Sequence, residues 1–127
     1  MHKILLVEDE PNIITLLTRT IATIGCADIE ILTAENGKIG LDIIKKERPE
    51  IVFLDIMMPE MNGYELCKIV KKDLEMTDVN IVMLTAKGQK SDEIKGKDAG
   101  ADSYITKPFK PNEIRRKISE VCKITIE

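Results

Sequence analysis

Histidine and cysteine are scarce in this sequence, and their scarcity argues against several kinds of site. The single histidine, His2, lies at the N-terminus, where we expect a frayed chain end, so it favours neither a multi-ligand zinc site nor a Ser-His-Asp triad. The three cysteines, Cys26, Cys67 and Cys122, are an odd number without Cys-x-x-Cys spacing. This pattern is typical of reduced thiols that pack as small hydrophobic side chains and argues against a disulfide framework.

A long apolar run and an excess of positive charge are also missing. Nowhere does the sequence contain the roughly 18 consecutive apolar residues of a membrane span, and the apolar run from Ile4 to Val7 is too short for the core of a signal peptide. Lys and Arg number 19 against 22 Asp and Glu, a net charge of −3, whereas binding to the phosphate backbone of nucleic acids usually requires a basic protein. We therefore predict a cytoplasmic protein that binds neither membranes nor nucleic acid directly.

What is present is the composition of a globular domain. The chain has 127 residues, 43% of them hydrophobic and 32% charged, and a typical domain has roughly 150 residues. Five runs rich in Ile, Val and Leu alternate with segments of helical spacing; the runs are Lys3 to Val7, Asp28 to Ala34, Ile51 to Asp55, Asn80 to Thr85 and Asp102 to Thr106. Continuously apolar runs are typical of parallel strands covered by helices on both faces. We predict a single α/β domain over residues 1–127, built from five βα units.

Polar residues stand where these predicted strands end. Ligands of an open parallel sheet bind outside the carboxyl ends of the strands. Glu8 and Asp9 follow the first strand, Asp55 closes the third, Thr85 closes the fourth and Lys107 follows the fifth. An Asp that closes a strand is by itself usually a turn former or a helix cap, but four strand ends with complementary groups predict a shared site.

The charges of this predicted site require a cation. Two carboxylates 4 Å apart repel by about 4 kcal/mol at an effective dielectric of 20, and one lysine does not offset three acids. Oxygen ligands without a nearby His or Cys favour Mg²⁺. A carboxylate beside Mg²⁺ and an ammonium is placed to attack phosphorus and form an aspartyl phosphate. Asp55 is the predicted nucleophile, because it closes the central, most apolar strand, and Asp9 beside Glu8 is predicted to be a metal ligand.

An ordered set of motifs resembles the receiver domain of two-component response regulators. The motifs are Glu8-Asp9, Asp55 followed by Met58-Pro59 and Asn62-Gly63, Thr85-Ala86, Ala99-Gly100-Ala101-Asp102, Tyr104, and Lys107-Pro108-Phe109. The resemblance covers essentially the whole chain. It implies a flavodoxin-like, three-layer (βα)5 fold, doubly wound, with the strand order 2-1-3-4-5.

The resemblance also implies a metal site and a phosphoacceptor. Asp55 is expected to accept the phosphoryl group. Mg²⁺ is expected to be held by Asp55, by Asp9, by Glu8 directly or through water, and by the main-chain carbonyl of Met57.

Three further residues are implied to respond to the phosphoryl group. Thr85 and Lys107 would each bond one of its oxygens, and the peptide bond between Lys107 and Pro108 is usually cis in this family. Tyr104 matches the aromatic switch position, where the ring turns inward as Thr85 moves. The implied protein is a phosphoacceptor rather than an enzyme, assisting only its own phosphorylation and dephosphorylation.

The implied function is a phosphorylation-activated signalling switch. A sensor histidine kinase or phosphotransfer protein would phosphorylate Asp55, and the surface of helix four, strand five and helix five would then change toward an unknown downstream protein target. Helix four is expected between Lys87 and Asp98. Because this segment contains Gly88 and Gly96 and few apolar anchors, we expect it to be short or mobile before phosphorylation.

Other functions fit the sequence less well. A haloacid-dehalogenase-type phosphatase has an Asp-x-Asp motif, but Met57 stands two residues beyond Asp55. In a flavodoxin the first loop holds a phosphate, which Glu8 and Asp9 would repel, and no Walker or Rossmann glycine motif is present. One alternative stays open, namely that the chain is the receiver portion of a larger DNA-binding transcriptional regulator. A free messenger would be a monomer, whereas such a regulator would dimerise on phosphorylation.

Overall fold

Five parallel strands form one sheet at the centre of the molecule. The structure is a computed structural model that describes residues 1–58, 61–86 and 90–125. The strands are β1 (His2–Val7), β2 (Ile29–Ala34), β3 (Ile51–Asp55), β4 (Asn80–Ala86) and β5 (Ser103–Lys107). Their order is β2-β1-β3-β4-β5. Each strand bound lies within one residue of its prediction, and the predicted parallel sheet and strand order are confirmed.

Helices cover both faces of this sheet. They are α1 (Pro11–Ala22), α2 (Gly37–Glu47), α3 (Gly63–Lys68), α4 (Lys90–Ala99) and α5 (Pro111–Cys122), and α3 continues as a π-helical turn over Ile69–Asp73. On one face α1 and α5 bury Leu17, Ile21, Ile114 and Ile118 against Phe53 and its neighbours. On the other face α2, α3 and α4 bury Leu41, Ile44, Leu66, Val70 and Ala99 against Val52, Leu54 and Met83. The predicted three-layer (βα)5 fold is therefore confirmed.

Local sequence signals mark where the helices begin and end. Pro11 and Pro111 occupy the first helical positions of α1 and α5, where the missing N–H leaves no carbonyl unpaired. The Asn36 and Asn62 side chains cap α2 and α3 by accepting hydrogen bonds from main-chain N–H groups three residues later. Pro49 follows the end of α2 and cannot continue a helix.

The N-terminus differs from its prediction. His2 is the first residue of β1 and not part of a frayed end. Its main-chain N–H donates to the Asp28 carbonyl at 2.7 Å, and its ring Nδ1 lies 2.8 Å from the Glu50 carboxylate. The expectation was wrong because parallel pairing with β2 begins at His2 itself, opposite Ile29.

Helix α4 spans ten residues, from Lys90 to Ala99, against twelve in α5. The predicted start at Lys87 and the nearby Gly88 lie outside the described residues. Ile94 is 63% exposed, so it does not anchor the helix, whereas Ala99 is buried. The expected mobility of α4 stays a prediction. Among the helices described, none combines the length and the apolar composition that crossing a membrane requires.

Candidate functional site

The carboxyl ends of four strands bring the predicted site residues to one edge of the sheet. The parallel register sets Val7 beside Leu54, and therefore Glu8, the next residue, near Asp55 at the end of β3. Asp55 is itself paired with Leu84, the residue before Thr85. Because the strands run in the same direction, their side chains at this edge converge without any contribution from the helices.

Lys107 joins the two buried carboxylates of this edge. Its Nζ donates to Glu8 Oε1 at 3.0 Å and to Asp55 Oδ1 at 3.1 Å. The side chains of Glu8 and Asp55 are 1% and 11% exposed, and that of Lys107 is 28% exposed. β4 separates β5 from β3, so the contact depends on the length of the lysine side chain. The resemblance predicted a bond from Lys107 to a phosphoryl oxygen, and in this structure the ammonium bonds the carboxylates.

Burial controls protonation in this cluster. Removal from water, followed by a hydrogen bond with Asp55, raises the pKa of Glu8 from 4.5 to about 7, although the Lys107 ammonium opposes the shift. Burial alone would lower the pKa of Lys107, but its hydrogen bonds to Glu8 and its attraction to Asp55 outweigh burial and raise it. Without a metal ion, Glu8 therefore keeps its proton to higher pH than an exposed glutamate does, and Lys107 stays charged.

The donor set fits a hard divalent cation. One carboxylate oxygen from each of Glu8, Asp9 and Asp55 can be chosen so that all three lie within 4.8 Å of one another. Glu8 and Asp55 are buried and Asp9 is exposed, beside a cleft of about 310 Å³ that gives access from solvent. Three carboxylates against one ammonium leave net negative charge, and oxygen donors of this kind are the ligands that Mg²⁺ takes. The residues present therefore fit Mg²⁺.

The start of α3 fixes the chain that follows Asp55. The Gly63 N–H donates to the Ile56 carbonyl at 2.9 Å. A Cβ atom at Gly63 would lie 2.8 Å from the Asp55 carbonyl oxygen and 2.9 Å from Ile56 Cα, so only glycine permits this approach. Met57 lies on the solvent side of this turn with 78% of its surface exposed. The predicted use of its carbonyl as a metal ligand stays a prediction.

Thr85 and Tyr104 lie outside the carboxylate cluster. Thr85 is buried, with 2% of its surface exposed, on the strand next to Asp55. Tyr104 is half-buried on β5 and packs against the core beneath α4. A Cβ atom at Gly96 would lie 2.8 Å from Tyr104 Cε1 and 2.7 Å from Met83 Sδ. Sequence reasoning counted Gly96 only as a weakness of helix four, whereas the residue lets α4 sit directly on the Tyr104 ring.

Comparison with known proteins agrees with this geometry. Residues 4–119 match the family model described as the response regulator receiver domain. The chain is 43% identical over 122 residues to the probable transcriptional regulator ycf27 of Porphyra purpurea, covering 96% of this chain and 48% of that protein. It is 38% identical over 122 residues to the phosphate regulon transcriptional regulatory protein PhoB of Pseudomonas aeruginosa, covering 96% of this chain and 52% of that protein. The chain thus spans about half the length of these curated relatives.

Solved structures show the same fold. A putative response regulator from Chloroflexus aurantiacus superposes with a TM-score of 0.87 at 32% identity, covering 96% of this chain and 98% of that one. The chemotaxis protein CheY4 of Vibrio cholerae superposes with a TM-score of 0.82 at 30% identity, covering 95% of this chain and 98% of that one. The predicted flavodoxin-like architecture is therefore shared with proteins of this group.

Proposed function

The chain belongs to the response regulator receiver domain family, and we propose that it is a phosphorylation-activated switch of a two-component system. In this proposal a sensor histidine kinase or phosphotransfer protein in the cytoplasm supplies a phosphoryl group to Asp55. The observation that supports it most is the position of Asp55, which closes the central strand within 3.1 Å of the Lys107 ammonium and beside Glu8 and Asp9. A single domain over residues 1–127 is part of the proposal.

The chemistry assigned to Asp55 is nucleophilic attack. One of its carboxylate oxygens forms a bond to phosphorus while the bond from phosphorus to the imidazole nitrogen of the partner breaks, and that nitrogen keeps the electron pair. When bound by Asp55, Glu8, Asp9 and the Met57 carbonyl, Mg²⁺ would supply positive charge to the phosphoryl oxygens. Lys107, which bonds the Asp55 carboxylate before transfer, would bond one of the same oxygens afterwards.

Thr85 and Tyr104 are assigned a role in shifting the domain between two pre-existing conformations. The Thr85 hydroxyl would bond a phosphoryl oxygen, and the Tyr104 ring would turn inward as Thr85 moves. Tyr104 already contacts α4 at Gly96, so a change in the ring would alter the surface formed by α4, β5 and α5. That surface would then bind a downstream protein target.

Intact-mass measurement tests the phosphoacceptor. After incubation with acetyl phosphate and Mg²⁺, we expect the chain to gain the mass of one phosphoryl group and the Asp55→Asn variant to gain none, because an amide is not a nucleophile of comparable strength. Asp42→Asn is the matched control, since Asp42 is an exposed Asp on α2. An equal mass gain in wild type and Asp55→Asn would contradict the assignment.

A second candidate function is favoured by the names and lengths of the relatives. Both curated relatives described above are called transcriptional regulators, and each is about twice as long as this chain. We infer that the chain can act as the receiver portion of such a regulator, with nucleic acid contacted by residues outside this sequence and not by this acidic domain. Gel filtration with and without beryllofluoride, a phosphoryl analogue, tests this. Dimerisation only with the analogue supports the regulator, and a persistent monomer supports a free messenger.

A further inference from the structure

A second cluster of donor atoms lies at the amino end of the sheet, opposite the carboxylates. The ring Nδ1 of His2 is 2.8 Å from Glu50 Oε1. Donor atoms of His2, Glu50 and Cys122 all lie within 4.8 Å of one another. The three residues come from the first position of β1, the residue before β3 and the last position of α5. They are far apart in sequence, and the fold alone brings them together.

Main-chain hydrogen bonds hold two of these residues in place. The His2 N–H donates to the Asp28 carbonyl at 2.7 Å, and the Glu50 N–H donates to the Lys3 carbonyl at 3.0 Å. The Glu50 carbonyl in turn accepts from the Asn80 N–H at 3.0 Å. The histidine and the carboxylate are therefore carried by backbone that is fixed to neighbouring strands, which limits the entropy lost when a ligand binds.

The third residue is fixed by the core. Ile114 and Ile118 anchor α5 with no exposed surface, and Cys122, one turn further along, is 5% exposed. Burial, followed by a hydrogen bond to Glu50, raises the pKa of the Cys122 thiol to about 12, with Cys26 adding a small electrostatic contribution. Cys26, which is half-buried, contributes electrostatically to this shift but is not one of the clustered donor residues.

We propose that His2, Glu50 and Cys122 form a Zn²⁺ site. The cluster offers one imidazole nitrogen, one carboxylate oxygen and one sulfur, and Zn²⁺ is the common divalent ion that binds all three donor types. Mg²⁺ prefers oxygen donors alone, so it does not fit here. The donor atoms need to move by only about 1 Å to reach the separations of a tetrahedral site. Zn²⁺ would replace the thiol proton of Cys122, which passes to the buffer. The imidazole would bind through Nδ1 with its proton moved to Nε2, and a water would take the fourth position.

This site is separate from the carboxylate cluster. His2 and Glu8 are at opposite ends of β1, roughly 20 Å apart for a strand of this length. Two positive charges near the amino end are paired with acids, since Lys3 forms an ion pair with Glu47 at 3.5 Å and the Met1 ammonium forms one with Asp28 at 3.7 Å. Because of this separation, Mg²⁺ at the carboxyl end and Zn²⁺ at the amino end can bind independently.

Competition against a chromophoric zinc chelator tests the proposal. The chain must carry no histidine tag, and excess Mg²⁺ is added to occupy the carboxylate cluster. We expect one Zn²⁺ per chain, with affinity reduced at least tenfold in both Cys122→Ser and His2→Ala. Cys67→Ala is the matched control, because Cys67 is buried in the other core layer, and its zinc affinity should equal that of wild type.

Cobalt substitution identifies the ligands directly. Co²⁺ bound to a thiolate gives a charge-transfer band in the near ultraviolet, which we expect in wild type and His2→Ala but not in Cys122→Ser. Because His2 is partly exposed, His2→Ala should fold even if the buried Cys122 tolerates substitution poorly, and circular dichroism checks both variants. Zinc affinity that is equal in all variants, or that is lost only in Asp9→Asn, would overturn the proposal.

Discussion

The two ends of the five-stranded sheet present different donor sets. At the carboxyl end the donors are carboxylate oxygens from Glu8, Asp9 and Asp55, beside one lysine that bonds two of them. At the amino end nitrogen, oxygen and sulfur meet in His2, Glu50 and Cys122. The donors of the carboxyl end are of the type that hard cations prefer, and those of the amino end are of the type that a softer metal prefers. Both ends of the sheet therefore contain carboxylates but combine them with different neighbouring groups.

We expect the largest difference between the two ends when a lysine at each end is replaced by alanine and the rate of phosphoryl uptake is measured. Lys107→Ala removes the ammonium that contacts the Glu8 and Asp55 carboxylates. Because this charge would stabilise the transferring phosphoryl oxygens, we expect the rate of phosphoryl uptake from acetyl phosphate to fall by a factor of about 10² to 10³, as when one oxyanion donor is removed. A time course by intact-mass measurement at saturating Mg²⁺ gives the rate.

Lys3 provides the control at the opposite end. It forms an ion pair with a carboxylate, that of Glu47, at 3.5 Å, so Lys3→Ala removes a paired lysine without approaching Asp55. We expect its rate of phosphoryl uptake to equal that of wild type. If the Lys107→Ala rate is within about threefold of the wild-type rate, the loss is far smaller than that seen when a charge-stabilising donor is removed. Such a result would show that Lys107 only organises the resting site.

The carboxyl end could be predicted from sequence because parallel strands end together. Once Ile51 to Leu54 is interpreted as a strand, Asp55 must stand at the same edge as the residues after β1. The bonds from Lys107 to both carboxylates could not be predicted, because they depend on the rotamer of a long side chain that crosses β4. The raised pKa of Glu8 was also missed, since it depends on burial that only the folded sheet produces.

The amino end could not be predicted in the same way. The place where α5 ends relative to β1 depends on how Ile114 and Ile118 pack, and this decides whether Cys122 meets His2. Nothing in the spacing of residues 2, 50 and 122 corresponds to a metal motif. The parallel pairing that makes His2 a strand residue was the one available signal, because Ile29 to Ile31 offers a partner strand.

The pH dependence of the unfolding free energy is expected to be a smaller difference between the carboxyl end and the amino end of the sheet. In the metal-free protein the folded chain keeps a proton on Glu8, whose pKa is about 7, after the unfolded chain has released it near 4.5. This contribution to stability is present in full below pH 4.5 and is lost as the pH rises through 7. The shift corresponds to about 3 kcal/mol of unfolding free energy. The raised pKa of the Cys122 thiol, about 12, keeps that thiol out of this range.

Urea unfolding in EDTA between pH 5 and pH 8 measures this dependence. We expect the unfolding free energy of wild type to fall across the range and that of Glu8→Gln to change less, because Gln cannot lose a proton. Lys107, whose pKa is raised, stays charged throughout and adds no slope. Identical slopes for wild type and Glu8→Gln would mean that the buried glutamate does not hold the proton.

The smallest effect is expected from His2→Ala in EDTA. The side chains of His2 and Glu50 are 28% and 40% exposed, so water screens their bond, and its loss should cost about 0.5 to 1 kcal/mol of unfolding free energy. A Zn²⁺ concentration 100 times the dissociation constant should raise the unfolding free energy of wild type by about 2.7 kcal/mol. The increase should be smaller for the variant, which lacks one ligand. Urea unfolding with EDTA and with Zn²⁺ gives both differences. A loss of unfolding free energy above about 2 kcal/mol in EDTA would exceed what a partly exposed bond contributes. If Zn²⁺ does not widen the difference in unfolding free energy between wild type and His2→Ala, His2 is not a zinc ligand.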